Sequence, residues 1–578
     1  MLLVGLGLAA AANAIVRAAP ASSWSTYGNS SLRIGGTTAN AKTLHRRFVL
    51  PVDGRITGQV LASRGTFFAA TTSGEVVAFT ADGFVLWRDD VGQLAQTCPQ
   101  LDGYGIVGTG VVDQAARTLY VADAFGRLHA LDVTNGGERS GWPVRVFTDF
   151  RHELVWGALT QVGGSVYVPT ASYCDSPSIG GIHRVDVETQ QVDTWLSVPE
   201  SLGGGGGVWG WGGTAYSPRD GVLFAVTANA FPGGTNVGDA FSESAGYGEH
   251  LVELGPDLTV KASSHPQNIT DGVDLDFVGS PVVFTRTGCG ELVVAADKDD
   301  QIYAWRADNV NAGPIWQLRL EKYDPEDPLL SQLAWSSKVT SLYAVTGTQL
   351  LRIAIGTNCS AHVLWTRQLG THTENGSPTV AGTTVWFAVN GTPKLVGYDG
   401  QDGKQLFSAP LGGETVQAPT ITDNRLVIGT MSGLVEGFSF GAAAAASIDP
   451  KFPVSWAGTR YGWQQRPSGV YATENRGRSW RHVFSGTPLA ALRLTRTTGL
   501  ISIASGPGRC MCTTRQFWTT DGGRTWRPTA TVGTRFTLGG GHVYFWSGGT
   551  LRMLGPLSVR STARLTSTMV TSFADGDI

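Results

Sequence analysis

A chain of 578 residues with formal net charge −3, 15% charged residues, 77 glycines and 18 tryptophans is too long for one compact core. Its composition excludes a disordered chain, a coiled coil and a collagen-like fibre. With no net positive charge to neutralise phosphates, it argues against a nucleic-acid binder, and abundant glycine and aromatics with few helix formers point to short strands and tight turns.

The chain opens on an apolar run, Leu2 to Val16, followed by Arg17 and small residues up to Ser22. Residues 1–22 read as the apolar region and cleavage zone of an export signal that lacks the basic leading segment. A membrane-spanning helix competes, but the run falls short of the roughly twenty apolar residues a span needs. No later stretch is long and apolar enough to cross a bilayer, so the mature chain is expected outside the cell or in the periplasm, with no transmembrane segment.

From residue 23 to 440 a unit of about 40 to 60 residues recurs. Each copy runs as alternating apolar strands broken by Gly, Asp or Asn turns, and five copies end in Trp87, Trp142, Trp195, Trp316 and Trp365. Eight copies can be stacked, which predicts an all-β fold, an eight-bladed β-propeller. The segment Trp24 to Gly54 is the expected closing partner of Gly433 to Phe440, and the recurring tryptophans are expected to pack between blades. After Phe440 a small-residue linker, 441–450, leads to a β-module over 451–578. There Thr519 to Trp526 (TTDGGRTW) fits the Asp-box pattern S/T-x-D-x-G-x-x-W, and Thr473 to Trp480 (TENRGRSW) is a copy with Asn475 at the acidic position. At about 130 residues this module supplies two or three blades, too few for a closed ring; that also leaves no room for a sialidase-like centre.

The stretch Gly203 to Asp308 holds the candidate chemistry. It runs through GGGGGVWGWGGTAYSP, a strand ending at Asn229, the TDGVDLDF loop and ADKDDQIY. In this order it resembles the pyrroloquinoline quinone (PQQ) alcohol and methanol dehydrogenases, whose fold is an eight-bladed propeller. The resemblance by repeats covers about 420 residues, and by motif roughly 165 to 308. It implies PQQ with Ca²⁺ or a lanthanide. Trp211 would stack on the quinone, Lys298 would contact its oxygens, and Asp175, Asn229 and Asp274 would hold the metal, with Asp276 as an added acidic ligand of the lanthanide branch. Asp274 would also be the base that takes the alcohol proton. The partners implied are a small alcohol and an external electron acceptor; the alternative is a non-catalytic propeller that binds a protein or glycan.

The chain departs from the family in three respects. There is no vicinal Cys-Cys, only Cys98 near the expected place; the metal-ligand Glu is shortened to Asp175; and the blade-docking repeat is degenerate. Each residue also has a structural reading: Trp209 and Trp211 as blade-packing aromatics, Asn229 as a turn residue, Asp175, Asp274 and Asp276 as solvated loop acids, Lys298 as part of a charged hairpin. The six cysteines (98, 174, 289, 359, 510, 512) permit three disulfides in fifteen connectivities. Cys98 with Cys174 and Cys289 with Cys359 are the pairs considered.

Overall fold

The structure is a computed structural model that describes residues 23–38, 44–94, 103–172, 178–230, 246–266, 275–322, 329–422 and 424–440. Of the C-terminal part it describes 454–457, 460–466, 469–477, 479–485, 488–493, 495–505, 513–529, 536–539, 542–547 and 550–554. The predicted signal segment, the linker, Cys98, Cys174, Asp175, Asp274, Cys510 and Cys512 lie outside these residues.

Residues 44–440 form eight antiparallel four-stranded sheets. Blade I spans 61–90, II 111–145, III 160–196, IV 215–264, V 282–319, VI 334–368 and VII 379–410. Blade VIII joins 420–440 to an N-terminal strand. The first strand of each blade neighbours that of the next, and the first strand of VIII neighbours that of I, so the ring is closed.

Sequence pattern follows depth in the ring. The second strand of a blade is sandwiched on both faces, so Thr118–Ala122, Val222–Val226 and Thr384–Val389 are buried at every position. The fourth strand lies at the rim and alternates, as in Gln405–Pro410. The tryptophans at the blade ends reach across to the following blade: Trp87 Nε1 donates to Val133 O at 3.1 Å and Trp365 Nε1 to Gln401 O at 3.1 Å. A disulfide joins Cys289 of blade V to Cys359 of blade VI.

Only part of Trp24 to Gly54 closes the ring. Leu44–Pro51 pairs antiparallel with Leu434–Phe440 as the rim strand of blade VIII, and Arg46 meets the buried Glu436 at 3.1 Å. A side chain at Gly437 would run into the Phe48 ring, which crosses directly over it.

Residues 24–37 instead wind round the axis, along the inner strands. Trp24 exchanges backbone hydrogen bonds with Ala62 of blade I at 2.7 and 2.9 Å. Val112 (II), Tyr216 (IV), Val283 (V) and Trp335 (VI) donate to Ser25, Ser31, Leu32 and Ile34 at 2.7–2.9 Å. Gly36–Thr37 then adds a parallel strand to the inner edge of blade VII. Arg33, 2% exposed, covers blade III: its guanidinium donates to Leu159 O, Thr160 Oγ1, Thr214 O, Tyr27 O and Thr26 Oγ1. Burial lowers its pKa to about 9, so this charge depends on its oxygen cage.

Blades II and III each carry a buried histidine at the third residue of their third strand. His129 lies between Asp123 (3.1 Å) and Glu138 (2.6 Å). His183 lies between Glu153 (2.5 Å) and Thr194 (2.9 Å). Burial pulls the His129 imidazole down, but the hydrogen bonds to Asp123 and Glu138 outweigh it and raise its pKa.

The C-terminal part contains two four-stranded sheets, 454–485 and 488–529, and a three-stranded sheet, 536–554. The two turns expected from the sequence as Asp-boxes share one hydrogen-bond pattern. The Gly523 and Thr525 amides donate to Thr519 Oγ1 (3.0 Å) and Asp521 Oδ1 (2.9 Å); those of Gly477 and Ser479 donate to Thr473 Oγ1 and Asn475 Oδ1 (both 2.9 Å). Asn475 therefore does the acceptor work of the acid. Trp456 meets Phe84 of blade I edge-on, with ring centroids 4.5 Å apart.

Two measurements check this account. Replacing Arg33 by Met strands several buried oxygens, and chemical denaturation should show a loss of about 3 kcal/mol or more. The His129 contribution is complete below the unfolded histidine value of about 6.5 and fades as pH rises through the higher folded one. The melting temperature should therefore fall as pH climbs from about 6.5, and His129→Gln should flatten that slope.

Candidate functional site

The site residues that are described come from blades IV and V, from loops at the same end of the ring. The approach to blade IV is the glycine run. Gly205 bridges Ile179 on one side and Ala230 on the other, and Gly206 N–H donates to Asn229 O at 2.7 Å. Gly206 has φ +66°, and a Cβ there would fall on Ser197 Oγ, so only glycine lets these loops approach so closely. The run thus holds Asn229 against blade III; it is not a phosphate cradle.

Asn229 lies just beyond the strand Val222–Val226 and is 5% exposed. Its backbone N–H donates to Asp276 Oδ1 at 2.7 Å. The other oxygen, Asp276 Oδ2, accepts from Lys298 Nζ at 2.6 Å, and Asp276 O accepts the Lys298 N–H at 3.1 Å. Phe277 bridges Asp297, which fixes this register. The Lys298 ammonium in turn lies 5.2 Å from the centre of the Trp209 ring, within cation–π range. The fold thus brings together Asn229, Asp276, Lys298 and Trp209, from four separate stretches of sequence. Asp175 and Asp274 fall outside the described residues.

Trp211 sits deeper. It is 9% exposed and packs edge-on against Trp156, with centroids 6.4 Å apart, in an aromatic cluster with Tyr27, Tyr104 and Val416 drawn from several blades around the axis. Its Nε1 finds no hydrogen-bond partner among the described residues, and neither does the side chain of the buried Gln417, next to Val416. Buried polar groups of this kind ask for water or a ligand.

The hairpin that carries Lys298 is acidic and largely buried. Burial, then the neighbouring charge of Asp299, pushes the Asp297 carboxyl well above the usual range, with Asp276 adding to the effect. Asp299 is occupied within the hairpin: it accepts from the Gln301 amide at 3.0 Å and faces Arg319 at 3.5 Å. Asp299 is thus tied into the hairpin, whereas Asp297 is 1% exposed. Glu249, fully buried and with φ +58°, lies close enough to influence Tyr303. It carries no motif, and only its position ahead of a buried strand marks it. Among the described residues no group of three or more His, Cys, Asp or Glu is placed to hold a metal. The arrangement offers a fixed ammonium beside an aromatic face, which suits a planar anion.

Residues 72–193 and 357–446 match the family described as outer membrane protein assembly factor BamB. This match leaves out blades IV and V, and with them every described site residue. No curated protein matches the chain. A quinohemoprotein alcohol dehydrogenase from Comamonas testosteroni superposes with a TM-score of 0.57 at 16% identity, covering 73% of this chain and 81% of its own. One from Pseudomonas putida HK5 gives 0.58 at 14% identity, with 75% and 83% covered. A europium-containing methanol dehydrogenase gives 0.57 at 13%, with 73% and 98% covered. At such identities the likeness concerns architecture: the ring is a β-propeller like those of the PQQ alcohol dehydrogenases.

Proposed function

We propose that the blade IV–V centre binds a PQQ-type quinone and that the protein is an exported PQQ-dependent alcohol dehydrogenase-like enzyme. The observation that carries this reading is Lys298, 13% exposed, locked by Asp276 at 2.6 Å and set over Trp209. A cation fixed in this way beside an indole face suits the carboxylates and ring oxygens of a flat anion. The orphaned Trp211 Nε1 and the Gln417 amide add polar groups close to the axis.

When bound, such a quinone supplies the two-electron acceptor for alcohol oxidation. The chain's part is to position and to move a proton. Asp276 keeps the Lys298 ammonium from swinging into solvent, and the Asn229 backbone orients Asp276. Trp211 would form the floor. Asp274 would accept the hydroxyl proton of the alcohol on its carboxylate. Asp175, Asn229, Asp274 and Asp276 would supply oxygen ligands to Ca²⁺ or a lanthanide, hard cations that favour such donors.

The alternative, a non-catalytic propeller that binds a protein or glycan, draws on the matched assembly-factor family and on the pairing of Lys298 with Asp276. Titration separates the two. With Ca²⁺ or La³⁺ present, PQQ should bind at micromolar concentration with a change in its visible absorption. Lys298→Ala should weaken binding by about tenfold to a hundredfold, the range expected for losing a charge-assisted hydrogen bond. Asp274→Asn should still bind quinone but lose alcohol-dependent dye reduction. No binding with either metal would leave the scaffold reading. Independently of any cofactor, Asp276→Asn should cost about 2 kcal/mol in denaturation, because it removes the carboxylate countercharge 2.6 Å from a largely buried ammonium.

A further inference from the structure

The net charge of −3 hides a strong asymmetry. Residues 451–578 hold sixteen Lys and Arg against four Asp and Glu, whereas residues 1–450 hold twenty-seven against forty-two. Of the sixteen basic residues fifteen are arginines.

The topology gathers seven of these arginines at one end. In an antiparallel four-stranded sheet the first and third turns lie at the same end, and the two C-terminal sheets pack side by side with those ends together: Arg493, at the end of one sheet, donates to Gly462 O and Thr473 O of the other at 3.1 and 3.0 Å. Each of the four turns at that end brings at least one exposed arginine: Arg460, then Arg476 with Arg481, then Arg496, then Arg524 with Arg527. Two acids share this end. Asp521 is taken up by its own turn, its carboxylate accepting from Thr519, Thr525 and the Arg524 amide, and Glu474 stands alone against the six arginines. Burial lowers the Arg493 pKa to about 10, and the nearby charges of Arg481 and Arg496 push the same way. The guanidiniums are thus crowded enough to feel one another.

The geometry points to this end of the C-terminal sheets as a docking surface for an acidic polysaccharide, a sugar polymer bearing carboxylates along its length. Three observations select that partner. The planar fork of arginine pairs bidentately with carboxylate or phosphate, which a surface built for diffuse attraction would not require, and the two observations that follow leave the carboxylate polymer. None of the large exposed apolar side chains belongs to the described residues of these sheets, so those residues offer a bilayer no apolar anchor. The aromatic rings described at this end are already taken up: Tyr461 is flanked by Arg460, Arg493 and Arg496 at 5.4–5.9 Å, Trp480 packs against Trp456, and Trp526 packs against Trp463 and Phe484, so none of these rings is offered as a free stacking platform for a nucleobase. The acidic remainder of the chain repels the polymer and confines contact to this end.

The test uses the full chain with polygalacturonate as probe and neutral dextran, duplex DNA and vesicles containing anionic phosphatidylglycerol as comparisons, by calorimetry at two salt concentrations. Binding to polygalacturonate should be salt-sensitive and absent with dextran. Arg476→Glu combined with Arg496→Glu and Arg524→Glu should weaken it at least tenfold with an unchanged melting temperature, while Arg64→Glu on the propeller should not. Equal binding by the triple variant, equal binding to dextran, or tighter binding to DNA or vesicles would overturn the assignment. If the triple variant melts early, the single Arg496→Glu and Arg524→Glu variants decide, each expected to weaken binding about threefold.

Discussion

Each blade turns the outer edge of its first strand toward the axis, where a row of backbone N–H and C=O groups would face a narrow channel unpaired. Residues 24–37 answer that requirement. They lend carbonyls to blades II, IV, V and VI, exchange bonds with blade I and extend the sheet of blade VII. Near blades III and IV the groups to be satisfied are oxygens, and there the chain offers Arg33, whose five donors in a rigid fork can reach several acceptors at once. The circular arrangement, and with it the position of every loop at its ends, rests on this internal thread.

What was legible in the sequence was what repeats. Alternating apolar runs with Gly and Asp turns, and tryptophans at blade ends, prefigure the sheets, and the pairing of Leu44–Pro51 with Leu434–Phe440 follows from the need to close a ring. The thread was not legible, because its partners are one or two residues each, scattered over seven blades, and it has no period of its own. Trp24 to Gly54 therefore read as one closing segment when it has two separate tasks. The Cys289–Cys359 bridge was one of two pairs that sequence alone left open.

At the candidate site, residue types in family order were visible, but their mutual contacts were not. That Asp276 grips Lys298, and that Trp209 rather than Trp211 lies under the ammonium, are facts of three-dimensional register. Spacing along the chain says nothing about which of two indoles two residues apart faces a lysine ninety residues away. The charge asymmetry of the C-terminal part is written in the sequence but concealed by the chain-wide net charge; what only the fold shows is that seven of its arginines meet at one end. The matched family stops short of blades IV and V, so the part of the ring with the most distinctive side chains is also the part that the match leaves unconstrained.

The internal thread also imposes an order on biosynthesis. A ribosome delivers Trp24 to Thr37 before every blade they bond to, their hydrogen-bonding partners extend to Val380 in blade VII, and the rim strand that follows them waits for Leu434–Phe440. This segment therefore stays unsatisfied until blade VII has been made, and completion of the ring is a late, long-range event that leaves the inner strands of six blades exposed in the meantime.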